Sequence, residues 1–380
     1  MSEFMGWDAA ELDNGVVRAV VVPDIGGRVL QFWLGEHPYL FVNAHLAGKL
    51  FSPEENWGDG TMASWKNYGG NKTWPAPQGW SGPHEWAGPP DPVLDSGRFK
   101  IIQQKPLSVA VQSPPDPRSG LQITRELTLE PGAAKARLRR TMRNISDRPV
   151  RWSLWDVTQL ECKDNPNCHM SVPLDPANGF NVMYGPPDNP QLDAHNPRLL
   201  QIHYQGKLGK IGAASQAGWM AFSDGEWAFM HQFEVQPGAE YPDSGSSVEV
   251  WTHGPGVAQG INFDVEQLRG EFMEMEVLAP LVTLQPGEES TADITWAACR
   301  VQGRLTSASP DLCATQPLEV ERSASGAHVR GMFGVFAEGK LQVRDRERVL
   351  LERAASPSVP VTFDDDVPAA QGEVQVVFSR

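Results

Sequence analysis

The stretch LQITRELTL, Leu121 to Leu129, alternates along its whole length. Leu121, Ile123, Arg125, Leu127 and Leu129 fall on one face of an extended chain, and polar residues on the other. A period of two buries an apolar row in a strand and scatters it around a helix. The run ends at Glu130-Pro-Gly, and the same chemistry recurs as Gln-Pro-Gly at Gln236 and Gln285. Pro then Gly at the two central positions suits a type II turn. With 36 Gly and 32 Pro punctuating short apolar runs, the chain reads as all-β. GVVRAVVVP and GRVLQFWLG flank the tight turn DIGG, a hairpin pattern, and GWMAFSDGEWAFMHQFEV reads as another around Asp224-Gly225. A short helix is expected only around Asp264 to Gly270. Arg125 is the one charge in the Leu121–Leu129 row.

Two domains are expected. Residues 1–302 carry the longer strands, and after Arg300 the runs shorten to LEVERS, HVRGMFGVFAEG, KLQVRDRERVLLERA, VPVTF and EVQVVFS. That spacing over residues 303–380 predicts a small immunoglobulin-like β-sandwich.

Several function classes lose support. A formal net charge of −15 repels nucleic acid and anionic membrane surfaces. No apolar run reaches membrane-spanning length. MSEFMGWDAAELDNG has neither a basic n-region nor an apolar core, so a cytoplasmic protein is expected. Cys162, Cys168, Cys299 and Cys313 match no zinc spacing and read as free thiols. No P-loop, GxGxxG, HExxH, CxxC or GxSxG motif is present, so no cofactor is expected. The oligomeric state leaves no trace in the sequence.

The positive signal is aromatic and polar together. YGGNKTWPAPQGW, Tyr68 to Trp80, lies in a stretch from 44 to 98 that reads as a long, irregular, functional loop. Trp65, Tyr68, Trp74, Trp80 and Trp86 crowd there among Lys72, Gln78, His84 and Glu85. Sugars are held by such mixtures: an indole stacks on the C–H face of a pyranose while amides and charges bond its hydroxyls. In EFMEMEVLAP an extended chain puts Met273, Met275 and Val277 on one face and Phe272, Glu274 and Glu276 on the other. Paired carboxylates on one face make chemical sense in a wet cleft, where one can act as a base. In WDVTQLE, Asp156 and Thr158 share one face and Trp155, Val157 and Gln159 the other. The segment 229–254 adds His231, Tyr241, Asp243, Glu249, Trp251 and His253.

VVPDIGGRVLQF, YGGNKTWPAPQ, RNISDRPVRWSLWDVTQ and EMEVLAPLVTLQPGEESTADITWAA together resemble the DUF4380 family of galactose-mutarotase-like proteins, over roughly residues 10–300. The resemblance implies a galactose-mutarotase-like β-supersandwich whose concave face binds carbohydrate. In the aldose epimerases of that superfamily a Glu removes the anomeric hydroxyl proton and a His protonates the ring oxygen. Glu274 or Glu276 matches the Glu. The stretch where the His is expected reads Trp155-Asp156-Val157-Thr158-Gln159 and has none, leaving His231 or His203 to enter from another strand.

The expectation is therefore a binder of a small sugar or oligosaccharide. Lys72, Trp74, Gln78, Asp156, Gln159, Arg28 and Trp251 would hold the ligand, and Glu274, Glu276 and His231 would be the acid–base candidates. An aldose 1-epimerase-like enzyme and a non-enzymatic interaction module are the alternatives.

Overall fold

The structure, a computed structural model, describes residues 2–380 except 80, 175–178, 186–190, 193–195, 259–260, 266–267, 269 and 371, and the side chains at 191–192, 258 and 261. Trp80 and the middle of the helix expected over 264–270 thus lie outside the described residues.

The strands that matter here are β1 (Val17–Val22), β2 (Arg28–Leu34), β3 (Asn71–Ala76), β4 (Leu121–Leu129), β5 (Lys135–Asn144), β6 (Val150–Glu161), β7 (Gly209–Ala213), β8 (Trp227–Phe233), β9 (Val248–Thr252), β10 (Phe272–Leu278) and β11 (Glu289–Arg300). Among the described residues they belong to two large sheets. One runs β1-β2-β3-β6-β10-β9-β7 through its middle, and the other contains β8-β11-β5-β4 in that order. The pairings among these strands are antiparallel. The DIGG hairpin forms as expected, with β1 and β2 joined through Pro23–Ile25. The hairpin at Asp224-Gly225 also forms, with Asp224 N donating to Trp227 O at 3.1 Å.

The apolar rows of the two sheets meet in one core. Leu127 and Leu129 of β4, Leu138 of β5, Phe229 of β8, Trp296 of β11 and Met273, Met275 and Val277 of β10 belong to it. Period-two alternation thus decides which side of each strand turns inward. A second apolar cluster lies on the opposite face of the first sheet. There it joins Trp65, Trp74, Trp86, Trp155 and Val157, and it continues past the sheet to Trp152, Leu121 and Met142.

The stretch read as an irregular loop needs correction. Residues 71–76 form β3, buried at every position and lying between β2 and β6. Two prolines and a lysine argued against a buried strand, but the pairing removes the objection. Gly70 O accepts from Gln159 N at 3.0 Å, so the even-numbered residues of β3 bond to β6. Pro75 therefore turns its nitrogen to the other side, where β2 pairs only at Val29–Asn71 and has already diverged. Its missing N–H costs no ladder bond. Gly69 and Gly70, at φ +91° and +71°, allow the approach: a Cβ on either would lie 2.2 Å from Phe41 O or 2.5 Å from Val29 O.

Residues Ser307–Ser379 build a four-stranded and a three-stranded sheet packed around Val329, Phe333, Leu341, Val343 and Phe363. They meet the second large sheet through Cys299, Val301, Leu305, Cys313 and Phe336. All four cysteines are free and buried. No described helix is long and apolar enough to cross a membrane.

Candidate functional site

The outer face of β3, β6, β10, β9 and β7 forms the floor of a cleft of about 200 Å³, open to solvent. Its rows follow from register. Trp74 lies opposite Trp155, Gln159 opposite Glu274, Glu274 opposite Trp251, and Trp251 opposite Lys210. The walls are raised by Met62, Trp65, Gln78, Pro89, Tyr184 and Phe263.

Two charged assemblies sit on this floor. In the first, Glu274 Oε1 accepts from Gln159 Nε2 at 2.7 Å and from Lys72 Nζ at 3.2 Å. The Lys72 ammonium lies over the Trp74 and Trp65 rings, 4.6 and 5.2 Å from their centroids. Burial pulls the Lys72 pKa down, against the attraction of Glu274. Glu274 lines the cleft, while Lys72 is sealed beneath it.

The second assembly surrounds Lys210. Its Nζ lies 2.7 Å from Glu249 Oε2 and 3.1 Å from Glu276 Oε2, and 4.6 Å from the Trp155 ring centroid. Trp155 Nε1 donates to Glu276 Oε2 at 2.8 Å. Burial pulls the ammonium down, but Glu249 and Glu276 outweigh it and hold Lys210 above the ordinary lysine value. The carboxyls pay the complement. Burial raises Glu249 well above its ordinary range, and Glu276 and Asp243 push it further against the pull of Lys210. Burial raises Glu276 too, with Lys210 opposing. Asp243 reaches the cleft from a turn in which it and Ser244 take φ of +51° and +64°, a left-handed conformation costly for both residue types. Burial raises its pKa also.

His253 completes the floor. Its ring stacks on Phe272 at 4.4 Å, and Trp251 Nε1 donates to its Nδ1 at 3.4 Å. Burial lowers it to about 4, so it is neutral at pH 7. Among the described residues no group of three His, Cys, Asp or Glu is arranged to hold a metal ion.

The candidates named from sequence divide by face. Trp74, Gln78, Trp251 and Glu274 line the cleft. Lys72 and Gln159 stand directly under Glu274, and Glu276 lies buried under Lys210 and Trp155. Four candidates are elsewhere. Asp156 points between the two large sheets, where Asn71 Nδ2 donates to it at 2.8 Å and Thr73 Oγ1 at 3.3 Å. Alternation along β6 requires this, because Trp155, Val157 and Gln159 occupy the cleft side. His231 belongs to the second sheet, fully buried, its Nε2 3.3 Å from Thr158 Oγ1 and its ring stacked on Trp296. Burial, then the nearby Arg140, drive its pKa well below the ordinary histidine value, so it offers no proton to the cleft. Arg28 is a clamp: it donates to Ile25 O, Gly69 O and Asp95 Oδ1 at 3.0, 3.1 and 2.5 Å and is fully buried. His203 lies on the far sheet, bonded to Pro166 O.

Trp155 and Lys210 were not named as site residues from the sequence, and Asp243, Glu249 and His253 were noted in the 229–254 segment without a role in the site. A signal existed for two of them: Glu249, Trp251 and His253 alternate in VEVWTH, a row on the face opposite Val248 and Val250. Lys210 sits alone in GKIGA and carries no pattern.

A buried turn orders the indoles. Trp65 Nε1 donates to Asp95 Oδ2 and Trp86 Nε1 to Asp91 Oδ2, each at 2.8 Å. The two aspartates, four residues apart in DPVLD, pin Trp65 and Trp86 against the two sides of Trp74, with ring centroids 6.1 and 5.0 Å away.

Comparison with solved structures bears on the fold. A galactose mutarotase-like protein from Lactobacillus casei ATCC 334 superposes with a TM-score of 0.50 at 11% identity, over 77% of this chain and 100% of that one. A galactose mutarotase related enzyme from Lactobacillus acidophilus gives 0.48 at 8% identity, over 76% and 96%. The first likeness shows an all-β, multi-sheet fold similar to galactose mutarotase-like proteins. No curated protein matches the chain. The model of the domain of unknown function DUF4380 matches residues 8–299, about three quarters of the sequence, and the chain belongs to that family.

Proposed function

We propose that the cleft binds a carbohydrate. The observation that carries this reading is the placement of Glu274: a carboxylate at the cleft surface, held by Lys72 and Gln159 and surrounded by Trp65, Trp74, Trp155 and Trp251. Indoles supply flat apolar faces, and Glu274, Gln78, Asp243 and Lys210 supply acceptors and donors for hydroxyls. The charges also select. Both lysines are already matched by carboxylates, and Glu274, Glu276, Glu249 and Asp243 outnumber Lys72 and Lys210. A neutral or amino sugar suits this cleft better than a uronate. Titration calorimetry with neutral, amino and acidic sugars tests the reading. Binding of neutral or amino sugars that weakens at least tenfold in Trp251→Ala and Glu274→Gln supports it. Absence of binding at millimolar concentration, or preference for uronates, defeats it.

A second reading is ring-opening epimerisation of an aldose, with Glu274 as the base. Its support is that the one carboxylate directly at the floor also has a histidine, His253, in the same cleft. His253 is neutral at pH 7, so the proton donor would be a carboxyl of the Lys210 assembly. Anomer-resolved NMR on freshly dissolved α-anomers decides: interconversion no faster than in buffer removes this reading and leaves binding intact.

We further propose that residues 1–302 form a β-supersandwich and residues 303–380 an appended sandwich of immunoglobulin type. A shared apolar cluster of Cys299, Val301, Cys313 and Phe336 supports an interdependent pair. Truncation after residue 302 should lower the melting temperature of the large domain, and an unchanged melt would show them independent.

A further inference from the structure

A second cavity of about 210 Å³ adjoins the cleft and shares Met62 and Pro89 as a common wall. Its far side is made by Trp57, Gly60, Thr61 and Arg118. Trp57 is the only described tryptophan in the exposed class, at 40%. It is the least covered of the described tryptophans, and it lines a cavity that opens beside the main cleft.

Its setting is built, not accidental. Trp57 ends the helix α1 (Pro53–Trp57), whose start is fixed by a reciprocal Ser52–Glu55 capping box. Past the helix the chain folds tightly against the indole: Gly60, at φ +77°, lies so close that a Cβ there would sit 2.8 Å from Trp57 Cζ2. Asp59 fastens the turn, accepting from Thr61 N, Thr61 Oγ1 and Ser64 Oγ at 2.9, 2.7 and 2.6 Å. On one side of the indole stands the Arg118 guanidinium, 5.0 Å from the ring centroid. Arg118 NH1 lies 3.7 Å from Asp91 Oδ2, the same oxygen that accepts from Trp86 Nε1. One aspartate therefore holds both Trp86, which packs against the cleft's Trp74, and the cation of the second cavity.

We propose that Trp57 and Arg118 form a second carbohydrate subsite, and that the ligand is an oligosaccharide spanning the Met62–Pro89 wall. The proposal rests on the carbohydrate reading of the main cleft. One sugar unit sits over Glu274, and a neighbouring unit lays its apolar face on Trp57, with Arg118 donating to its hydroxyls. The loop is ordered in advance by its own hydrogen bonds, so little freedom is lost when the second unit docks.

The test is a glycan array of monosaccharides and oligomers of two to six units, followed by calorimetry on the length series of the strongest binder. The expected result is that two or more units bind at least about tenfold tighter than one. Trp57→Ala should bring that ratio close to one, and Arg118→Ala should lower it part of the way. Trp251→Ala should weaken every length alike. Thermal melts check that the variants fold, which the exposure of Trp57 makes feasible. If monosaccharides bind and longer chains gain nothing, or if the gain survives in both Trp57→Ala and Arg118→Ala, the subsite is wrong and the cleft reading stands. If no glycan binds the wild-type protein, both fall.

Discussion

Strand β6 has two faces, and both carry charge. On the inner face Asp156 meets Asn71 and Thr73 between the sheets, with Arg125 and Arg140 close by. On the outer face Gln159 meets Glu274 and Lys72, and Trp155 meets Glu276. The residue types are similar, and so is the burial of most of the groups. The difference is what lies beyond them: packed side chains of the second sheet on the inner side, and a cavity on the outer side. A charged network closed on all sides maintains the architecture. One that ends at an open surface can exchange a contact for a ligand. Chemistry alone does not distinguish the two.

The largest expected effect breaks the inner network. Arg125 and Arg140 are fully buried and both feel Asp156. Asp156→Ala leaves their charge uncompensated and should cost about 3–5 kcal/mol in chemical denaturation. A loss under 1 kcal/mol would mean that the inner charges are matched by other groups.

Acid should strain both faces. Burial holds His169 on the far sheet and His253 in the cleft at about 4, and drives His231 well below its ordinary value. Each stays neutral in the fold while the unfolded chain takes up a proton near its ordinary value. Stability is therefore complete above about pH 6.5 and falls as the pH drops toward 4, by about 3 kcal/mol for each group near 4. His253→Gln should flatten the melting-temperature slope between pH 6.5 and 4, and an unchanged slope would contradict the assignment.

Glu274→Gln sharpens the contrast with Asp156. It should cost less folding stability than Asp156→Ala, because the Lys72 ammonium it leaves unpaired has a pKa already pulled down by burial and can shed its proton, while weakening sugar binding at least tenfold, about 1.4 kcal/mol. Equal damage to stability and binding would place Glu274 with the structural charges.

The smallest effect concerns Glu249. Its folded pKa is raised, so the stability linked to its proton is present below the ordinary value of 4.5 and is lost as pH rises toward the folded value. Glu249→Gln should therefore stabilise the protein at pH 8 by about 1 kcal/mol, and the gain should vanish near pH 4.5. A gain independent of pH would show that packing, not charge, is responsible.

Much of the fold was readable in advance, because alternation and turn chemistry are local. The LQITRELTL row became β4, and the DIGG and Asp224-Gly225 hairpins formed where their turn residues stood. The stretch 71–76 was misread because Pro and Lys were weighed by propensity. Their acceptability depends on the side Pro75 turns away from β6 and on Glu274, 202 residues away from Lys72. The cleft candidates were half right for a related reason. Opposite faces of β6 were correctly separated, yet Asp156 and Gln159 were both assigned to the concave face. Lys210 was invisible, since a single lysine between glycines has no period.

By itself, then, the sequence determined the strands, their turns and the partition of each strand into two faces, Met273 and Met275 against Glu274 and Glu276 among them. Those follow from the two-residue repeat of an extended backbone. Only the tertiary structure decided which face opens to solvent, and which charges neutralise one another across it. Strand order and register bring Lys72 to Glu274 and Lys210 to Glu249 and Glu276. Those pairings depend on through-space distances between segments far apart in the chain, which no local pattern encodes.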